Sequence, residues 1–334
     1  MKKIITVLCV SICIITNSFA QQVVSTSFES KSLQVKNIPL NIYIPKDYDK
    51  KGKSYNLYIF LHGCCGLNHQ THISDFEEIL NKLIAEKKIE PMIVVFPSAQ
   101  GADFGNRHLW FNSERNGKYA DLITVDLLDW IEKKYNISKN IKAIGGFSMG
   151  ADGALRIALQ YPDKFVATVS HSSFPALDYF LDLIPILTKG KGVSGYTYKP
   201  IPKSLTETVY GAASAWTPNI NNPNYRVDFP LDKNGNLIDS VFQRMKFNAD
   251  IDSIIKYKWH LTKKVPVAIY FDTGILENFY LPNHMLNDQL IELTTKKNYE
   301  INFKYNEFDG NHVLTKEKIE SSILWLNSIF TNKN

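Results

Sequence analysis

The feature that most constrains the fold is the segment Gly146-Phe147-Ser148-Met149-Gly150, which stands between an apolar stretch and a helical one. Ile141 to Ile144 predicts a short buried strand, and Ala151 to Tyr161 has the apolar spacing of a helix. A serine between glycines in such a strand-to-helix turn adopts a strained backbone with its hydroxyl exposed. The segment therefore predicts a nucleophile at Ser148, the alternative being a glycine-rich turn with a purely structural role.

Strands and helices alternate along the rest of the chain. The predicted strands are Leu40–Ile44, Tyr55–Leu61, Met92–Phe96, Phe165–Ser170, Val265–Phe271 and Ile301–Tyr305, and the predicted helices are Asp75–Lys87, Tyr119–Tyr135, Pro282–Thr295 and Glu317–Ile329. Such an order is typical of an α/β fold. We therefore expect a mostly parallel central sheet with helices on both faces.

One stretch interrupts this alternation, from Phe174 to about Tyr257. It contains many Pro, Gly and Asn residues and is too long for a plain loop in a compact domain. Its many aromatic residues favour packing against the domain over an unconstrained surface excursion. Residues 21–334 are therefore predicted to form one α/β domain, with an inserted lobe at about 174–257 over the strand ends, where a substrate would sit.

The first twenty residues have the pattern of a signal peptide. Lys2 and Lys3 precede an apolar run from Ile4 to Ile15, and small residues lead to Ala20. The run is shorter than the roughly 20 residues that span a bilayer, which disfavours a membrane anchor. We expect residues 1–20 to be removed on export to the periplasm or the exterior, with no membrane-spanning segment in the rest of the chain.

Charge and cysteine content exclude several function classes. A formal net charge of +5 in 334 residues is too small and dispersed to indicate nucleic-acid binding. Beyond the signal peptide the only cysteines are the adjacent Cys64 and Cys65, which can close no useful disulfide loop. Two neighbouring thiols are also a poor metal site. No metal and no cofactor are expected.

A serine nucleophile needs a base, and a histidine on a late loop is the expected one. His312 stands in Phe308-Asp309-Gly310-Asn311-His312, between the last predicted strand and the last predicted helix. His284 falls inside a predicted helix and His260 near the end of the predicted insertion. We therefore predict that His312 is the base.

The acid that orients this histidine should follow the strand Val265–Phe271. Asp272 stands at the end of that strand and Glu277 five positions later. Asp272 could instead stabilise a turn, and Glu277 could be a solvated surface carboxylate. Spacing alone leaves the two alternatives open.

The oxyanion hole requires backbone N–H donors. One is expected from Met149, directly after the nucleophile, and the other from Cys64 in His62-Gly63-Cys64-Cys65-Gly66, which follows an early strand. A cysteine nucleophile in this loop is the rival interpretation. Neither a helix N-terminus nor a basic neighbour that would activate such a thiol is evident there.

Five segments together resemble the esterase D-like family of α/β-hydrolases: Tyr43-Ile44-Pro45, Leu61-His62-Gly63, Gly146-Phe147-Ser148-Met149-Gly150-Ala151, Tyr161-Pro162-Asp163-Lys164-Phe165 and Asp309-Gly310-Asn311-His312. That family includes feruloyl esterases, acetyl xylan esterases, S-formylglutathione hydrolase and the mycobacterial mycolyltransferases. The resemblance covers about Leu40 to Ile329 and is weak across the insertion. It implies the α/β-hydrolase fold.

The resemblance also bears on the site residues. The family places its acid in a Gly-x-x-Asp/Glu pattern, which Gly274-Ile275-Leu276-Glu277 matches, so it implies Glu277 with Asp272 in reserve. It implies the same oxyanion donor, Cys64. In carbohydrate-active members two glycines usually precede the histidine, whereas here Gly310-Asn311 does so.

The sequence and the resemblance thus predict an exported serine carboxylesterase acting on a small-molecule or carbohydrate ester, one that is carbohydrate-linked or has a short or aromatic acyl group. His62, Trp110, Phe111 and Trp216 are candidates to contact the substrate, although each aromatic residue could equally pack in the core. An acyltransferase with the same triad is the main alternative. An inactive carbohydrate-binding relative is a third hypothesis, which the intact serine, histidine and acid disfavour.

Overall fold

In the part of the chain that the structure describes, the centre of the fold is an eight-stranded sheet. The computed structural model describes residues 22–64, 69–189 and 205–332, so the predicted signal peptide lies outside the described residues. The strands are β1 (Val23–Ser30), β2 (Val35–Tyr43), β3 (Tyr55–Leu61), β4 (Met92–Pro97), β5 (Asn112–Ser113), β6 (Gly117–Lys118), β7 (Ile137–Phe147), β8 (Ala167–His171), β9 (Ala268–Gly274) and β10 (Phe303–Phe308). The strand order in the sheet is β1-β2-β4-β3-β7-β8-β9-β10. Strands β5 and β6 pair separately as a short ribbon.

Helices connect and cover these strands. They are α1 (His69–Ala85), α2 (Asp103–Asn106), α3 (Tyr119–Asp121), α4 (Leu128–Lys134), α5 (Met149–Gln160), α6 (Tyr179–Lys189), α7 (Leu205–Trp216), α8 (Asp239–Ala249), α9 (Ile251–Trp259), α10 (Tyr280–Lys296) and α11 (Lys316–Thr331). A π-helical stretch, Leu122–Leu127, joins α3 to α4. Of the helices that the structure describes, none combines the length and the apolar character needed to cross a membrane.

Most neighbouring strands in the sheet run parallel. The pairs from β4 through β3, β7, β8 and β9 to β10 are parallel, whereas β1–β2 and β2–β4 are antiparallel. The predicted fold class is confirmed. Strand β1 was not anticipated, because most of its side chains are exposed or half-buried and only Phe28 and Ser30 are buried.

Apolar side chains cover both faces of the sheet. In β3, Leu57 and Leu61 pack into the cluster beneath α5, whereas Tyr58 and Phe60 pack into the cluster beneath α1 and α11. A strand buried on both sides reads as a continuous apolar run, which is how Tyr55 to Leu61 appears in the sequence. The carboxyl ends of the parallel strands therefore meet at one edge, where loops can bring functional groups together.

The predicted insertion at about 174–257 contains α6, α7, α8 and most of α9. The first three helices share a small apolar cluster built around Phe180, Tyr210 and Phe242. Trp216 of α7, Met245 of α8, and Ile251 and Ile255 of α9 pack in the main core. The lobe therefore has its own small core and is also joined to the main core through α7, α8 and α9. Its position over the substrate stays a prediction.

Candidate active site

Ser148 lies in a tight turn between β7 and α5. Its φ of 55° and ψ of −120° fall outside the regions that residues with a side chain ordinarily adopt. The Ser148 N–H donates a 2.9 Å hydrogen bond to the carbonyl of His171, which ties the turn to the end of β8. Backbone strain of this kind persists where the surroundings enforce it, and it is common at functional sites.

The glycines of the turn permit a very close approach of backbones. A Cβ on Gly150 would lie 2.0 Å from the Leu61 carbonyl oxygen, and one on Gly146 would lie 2.4 Å from the Gly150 carbonyl carbon. No side chain fits at either position, because both contacts are with backbone that cannot give way. The two glycines therefore let α5 begin directly against the end of β3.

A hydrogen-bonded histidine–carboxylate pair stands at the same edge of the sheet. Nδ1 of His312 lies 2.6 Å from Oε2 of Glu277. The Glu277 side chain is fully buried, whereas the His312 side chain is 34% exposed. Glu277 follows β9 and His312 follows β10, which pair in parallel. The Leu276 N–H also donates to the Gly310 carbonyl at 3.0 Å, so the two loops are held together.

Two aromatic rings hold the imidazole of His312. The ring of Phe147 stacks on it with centroids 4.7 Å apart, and the ring of Phe279 meets it edge-on at 4.8 Å. Phe147 is the residue before Ser148. Its contact therefore places His312 next to the turn that carries the serine.

The second oxygen of the Glu277 carboxylate is also occupied. Oε1 accepts hydrogen bonds from the Thr273 hydroxyl and, at 2.8 Å, from the Gly274 N–H. Burial by itself raises the pKa of the Glu277 carboxyl, but hydrogen bonds from His312, Thr273, Gly274 and Ser172 outweigh it and lower the pKa to about 2. Glu277 is therefore an anion at neutral pH.

The lowered pKa of Glu277 predicts a pH-dependent contribution to stability. An unfolded glutamate has a pKa near 4.5, so the buried carboxylate stabilises the fold above that pH and loses this contribution as the pH falls towards about 2. The difference between the two pKa values corresponds to about 3 kcal/mol, most of it lost by about pH 3.

Urea unfolding of the wild type and of Glu277→Gln measures this contribution, because the other titrating groups are common to both proteins. We expect the stability advantage of the wild type to shrink by about 2 kcal/mol between pH 5 and pH 3. An advantage that is the same at both pH values would contradict the lowered pKa.

Asp272, the reserve acid, has a different partner. Its Oδ2 lies 2.6 Å from Nδ1 of His171, and both side chains are fully buried. The two residues are directly paired in the register of β8 and β9. Nζ of Lys318, on α11, lies 3.7 Å from the other oxygen of Asp272. The structure thus brings Glu277, and not Asp272, to His312.

The two expected oxyanion donors flank the serine. Met149 is the first residue of α5. Cys64 follows Gly63, at which a Cβ would lie 3.3 Å from Cβ of Ser148. The loop after β3 therefore runs directly beside Ser148. Cys65 and Gly66 lie outside the described residues.

The four expected substrate contacts lie mostly in the interior. Trp110 is fully buried, and its indole N–H donates to the His62 carbonyl at 3.2 Å. Trp216 is 4% exposed and packs under the Arg156 guanidinium, 4.7 Å from the ring centroid. Phe111 is half-buried against the main core. Burial favours a packing role for the two tryptophans.

His62 is buried beside the site and its hydrogen bonds hold the neighbouring loops. Its Nδ1 lies 2.7 Å from the Gly63 carbonyl, and its Nε2 accepts a hydrogen bond from the Ala99 N–H at 3.1 Å. Burial lowers the pKa of His62, although its contacts with the carbonyl oxygens of Gly63 and Ala99 oppose the change. The neutral ring therefore connects the loop after β3 to the loop after β4.

Several residues at this edge were not anticipated from the sequence. His171 and Ser172 directly follow a predicted strand, a position that could have identified them, and Thr273 precedes the predicted acid. Lys318 gives no such signal, because a lysine on the last helix looks like a surface residue. Across residues 22–64, 69–189 and 205–332, no group of three or more His, Cys, Asp or Glu side chains is arranged to hold a metal ion.

Comparison with known proteins identifies relatives of the chain. The family model described as "Putative esterase" matches residues 30–316. An esterase of Mycobacterium tuberculosis is 32% identical over 139 residues, which cover 41% of this chain and 29% of that protein. The alignment thus spans less than a third of the curated relative's length.

Solved structures with the same fold include two hydrolases. A ferulic acid esterase superposes with a TM-score of 0.57 at 20% identity, covering 92% of this chain and 98% of that one. A fluorophosphonate-binding serine hydrolase of Staphylococcus aureus gives a TM-score of 0.59 at 17% identity, with coverages of 91% and 98%. These likenesses show the α/β-hydrolase fold.

Proposed function

This chain belongs to the esterase family whose model it matches, and on that premise we propose that it is a serine carboxylic ester hydrolase with Ser148 as its nucleophile. The observation that carries the proposal is the Glu277–His312 pair, 2.6 Å between Nδ1 and Oε2, packed through Phe147 against the strained turn that bears Ser148. A serine beside an oriented imidazole is the arrangement that nucleophilic catalysis requires.

The proposed reaction has two halves. Oγ of Ser148 attacks the ester carbonyl carbon while His312 takes the hydroxyl proton, and the developing oxyanion is stabilised by the N–H groups of Met149 and Cys64. His312 then gives its proton to the leaving alcohol, which leaves an acyl group on Ser148. Water repeats the same steps and releases the acid.

Glu277 has two tasks in this scheme. Its hydrogen bond to Nδ1 of His312 keeps the other imidazole nitrogen available to accept the serine proton. Its negative charge stabilises the imidazolium that forms during each half-reaction. A carboxylate with a pKa of about 2 stays ionised throughout, which suits both tasks.

We propose an ester with a short or aromatic acyl group, attached to a carbohydrate or another small alcohol. The surface next to the pair is apolar: Leu276 is 68% exposed and Val313 is 53% exposed, directly beside Glu277 and His312 in the chain. An apolar acyl group could cover such side chains and release water from them. One similar structure is that of a ferulic acid esterase, which motivates the choice of a phenolic acyl group.

Hydrolysis of p-nitrophenyl acetate, p-nitrophenyl butyrate and methyl ferulate tests the proposal. We expect hydrolysis of at least one ester, and a His312→Gln variant should lose it. His284→Gln is the matched control, because His284 also pairs with a glutamate, Glu307 at 3.2 Å, but on the exposed side of α10. Equal activity of the two variants would contradict the assignment of His312.

The products of the same assays separate the alternatives. Transfer of the acyl group to an added sugar, in place of water, would make the protein an acyltransferase with the same residues. Binding of the ester without turnover would support the inactive carbohydrate-binding relative.

Export is a separate proposal that rests on the sequence pattern of residues 1–20. Protein recovered from outside the cytoplasm should begin at Gln21. A retained Met1 would contradict it.

A further inference from the structure

The residue at which the inserted lobe begins, Phe174, is joined to the helix that starts directly after Ser148. The Phe174 N–H donates to Oδ1 of Asp152 at 3.0 Å, and its carbonyl accepts from Nη2 of Arg156 at 3.4 Å. Both partners lie on α5, and the N–H of Asp152 donates to the Ser148 carbonyl at 3.1 Å. The Phe174 backbone is therefore held on both sides by the helix that follows the serine turn.

The two side chains on α5 that hold Phe174 form a buried ion pair. Nη1 of Arg156 lies 2.9 Å from Oδ1 of Asp152, and both residues are buried. Nε of Arg156 also donates to the carbonyl of Ala249, the last residue of α8, at 2.7 Å, and its guanidinium lies over the ring of Trp216 at the end of α7. A buried pair with its remaining donors satisfied in this way has little freedom to move. It therefore attaches the lobe to α5 at Phe174, Trp216 and Ala249.

The side chain of Phe174 continues these contacts towards the proposed base. Its ring meets the ring of Phe279 edge-on, with centroids 6.1 Å apart. The Phe279 ring in turn meets the imidazole of His312 edge-on at 4.8 Å. Aromatic pairs favour such edge-to-face contacts at centroid distances of about 4.5 to 7 Å. Direct contacts thus run from α5 through two half-buried phenylalanine rings to His312.

Asn283, on α10, holds the two phenylalanines relative to each other. Its side-chain NH₂ donates to the Phe279 carbonyl at 2.7 Å and to the Ser173 carbonyl at 2.7 Å. Its Oδ1 accepts a 3.3 Å hydrogen bond from Oγ of Ser173, the residue before Phe174. Asn283 is fully buried, so its influence on the site passes through these neighbours. One amide group therefore joins the start of the lobe to the first turn of α10.

We propose that the two phenylalanines and Asn283 are positioning residues, which keep His312 aligned with Ser148. The hydrogen bond to Glu277 fixes one nitrogen of the imidazole but lets the ring turn about that bond, and the Phe279 ring restricts this turn. Since α5 follows the serine turn and also holds the Phe174 backbone, the base is tied to the nucleophile by contacts that do not pass through the triad acid. The inference rests on the proposed function, since it takes His312 as the base.

The direct test is Phe279→Leu, which removes the ring but keeps an apolar side chain. We expect kcat to fall by about 10- to 100-fold, because a displacement of about 1 Å in a catalytic group can have an effect of this size. The loss should be the same for every ester that the wild type hydrolyses, with KM within about threefold. Phe279→Tyr, which keeps the ring, should recover most of kcat. A change mainly in KM, confined to the larger esters, would make Phe279 a substrate contact and would overturn the proposal.

Phe174→Leu extends the test to the start of the lobe. Its loss of kcat should be much smaller in the Phe279→Leu background than in the wild type, because both changes interrupt the same series of contacts. If Phe174→Leu does not fold, Asn283→Ala takes its place in the same comparison. Phe242→Leu is the matched control, since the Phe242 ring is buried in the small core of the lobe, where it stacks on Phe180. We expect the control to lower the melting temperature and to leave kcat unchanged.

The outcomes separate the inference from the proposed function. A kcat loss in Phe242→Leu as large as that in Phe279→Leu would mean that any loss of packing disturbs the site, and would overturn the inference. If His312→Gln abolishes hydrolysis while Phe174→Leu and Phe279→Leu keep the wild-type kcat, the inference fails and the proposed function stands. If His312→Gln keeps the wild-type activity, the assignment of the base fails and the inference fails with it.

Discussion

Replacing Ser148 with alanine is expected to lower kcat for p-nitrophenyl acetate by about 10⁵- to 10⁶-fold, the loss that removal of a serine nucleophile typically causes. Alanine has no group that can attack the carbonyl, and the remaining oxyanion donors and binding contacts give only weak rate enhancement. The fold should not suffer, because the Ser148 N–H and its bond to the His171 carbonyl are kept. The kinetics of Ser148→Ala should be compared with those of Ser74→Ala. Ser74 is an exposed serine on α1, so its replacement should leave the activity at the wild-type value.

A Ser148→Ala variant that keeps more than about a tenth of the activity would show that another nucleophile carries out the reaction. Circular dichroism and a melting curve of the variant are needed alongside the rates. They establish that a loss of activity comes from the missing hydroxyl and not from unfolding.

Glu277→Gln is expected to lower kcat by about 10⁴-fold, the typical cost of an amide in place of the triad carboxylate. The reason is geometric as well as electrostatic. In the wild type, Oε1 of Glu277 accepts hydrogen bonds from the Gly274 N–H, at 2.8 Å, and from the Thr273 hydroxyl. In the variant these donors require the carbonyl oxygen of the glutamine at that position, so its NH₂ group faces Nδ1 of His312. That nitrogen must then be an acceptor, which places the imidazole proton on the nitrogen that should receive the serine proton.

Asp272→Asn is the discriminating comparison for the acid. We expect it to reduce kcat by at most about tenfold but to destabilise the fold by about 3 kcal/mol, because it breaks a fully buried pair with His171 and leaves Lys318 without its nearest carboxylate. Steady-state kinetics show which of the two variants loses more kcat, and urea unfolding shows which loses more stability. A larger kcat loss in Asp272→Asn than in Glu277→Gln, in folded protein, would make Asp272 the acid.

The choice between these two acids shows where sequence reasoning stops. The turn that carries Ser148 is formed by residues that are neighbours in the sequence, so five residues between a strand and a helix were enough to predict it. Both Asp272 and Glu277 follow the same strand, and spacing cannot tell which side chain meets a histidine from a different loop. In the structure Asp272 is still inside β9, facing His171 across the sheet register, while Glu277 reaches His312 only after the chain turns at Gly274.

Burial is the other quantity that the sequence does not contain. Trp110 and Trp216 were candidates to contact the substrate, yet they lie in the core. Large aromatic side chains suit a substrate pocket and a packed core equally well, so residue type alone does not distinguish the two. Nothing in the sequence marks Lys318 as buried, yet its side chain is 2% exposed and lies beside Asp272. Strand β1 has too few buried residues to show a clear alternation. Each of these depends on contacts between distant segments.

Ser148 is proposed here as the nucleophile of a serine esterase. The most direct measurement is reaction of the purified protein with a fluorophosphonate, followed by digestion and mass spectrometry to locate the phosphonylated residue. We expect one adduct, on Ser148, with loss of ester hydrolysis in proportion to labelling. An active protein that remains unlabelled, or an adduct on another residue that accompanies inactivation, would contradict it.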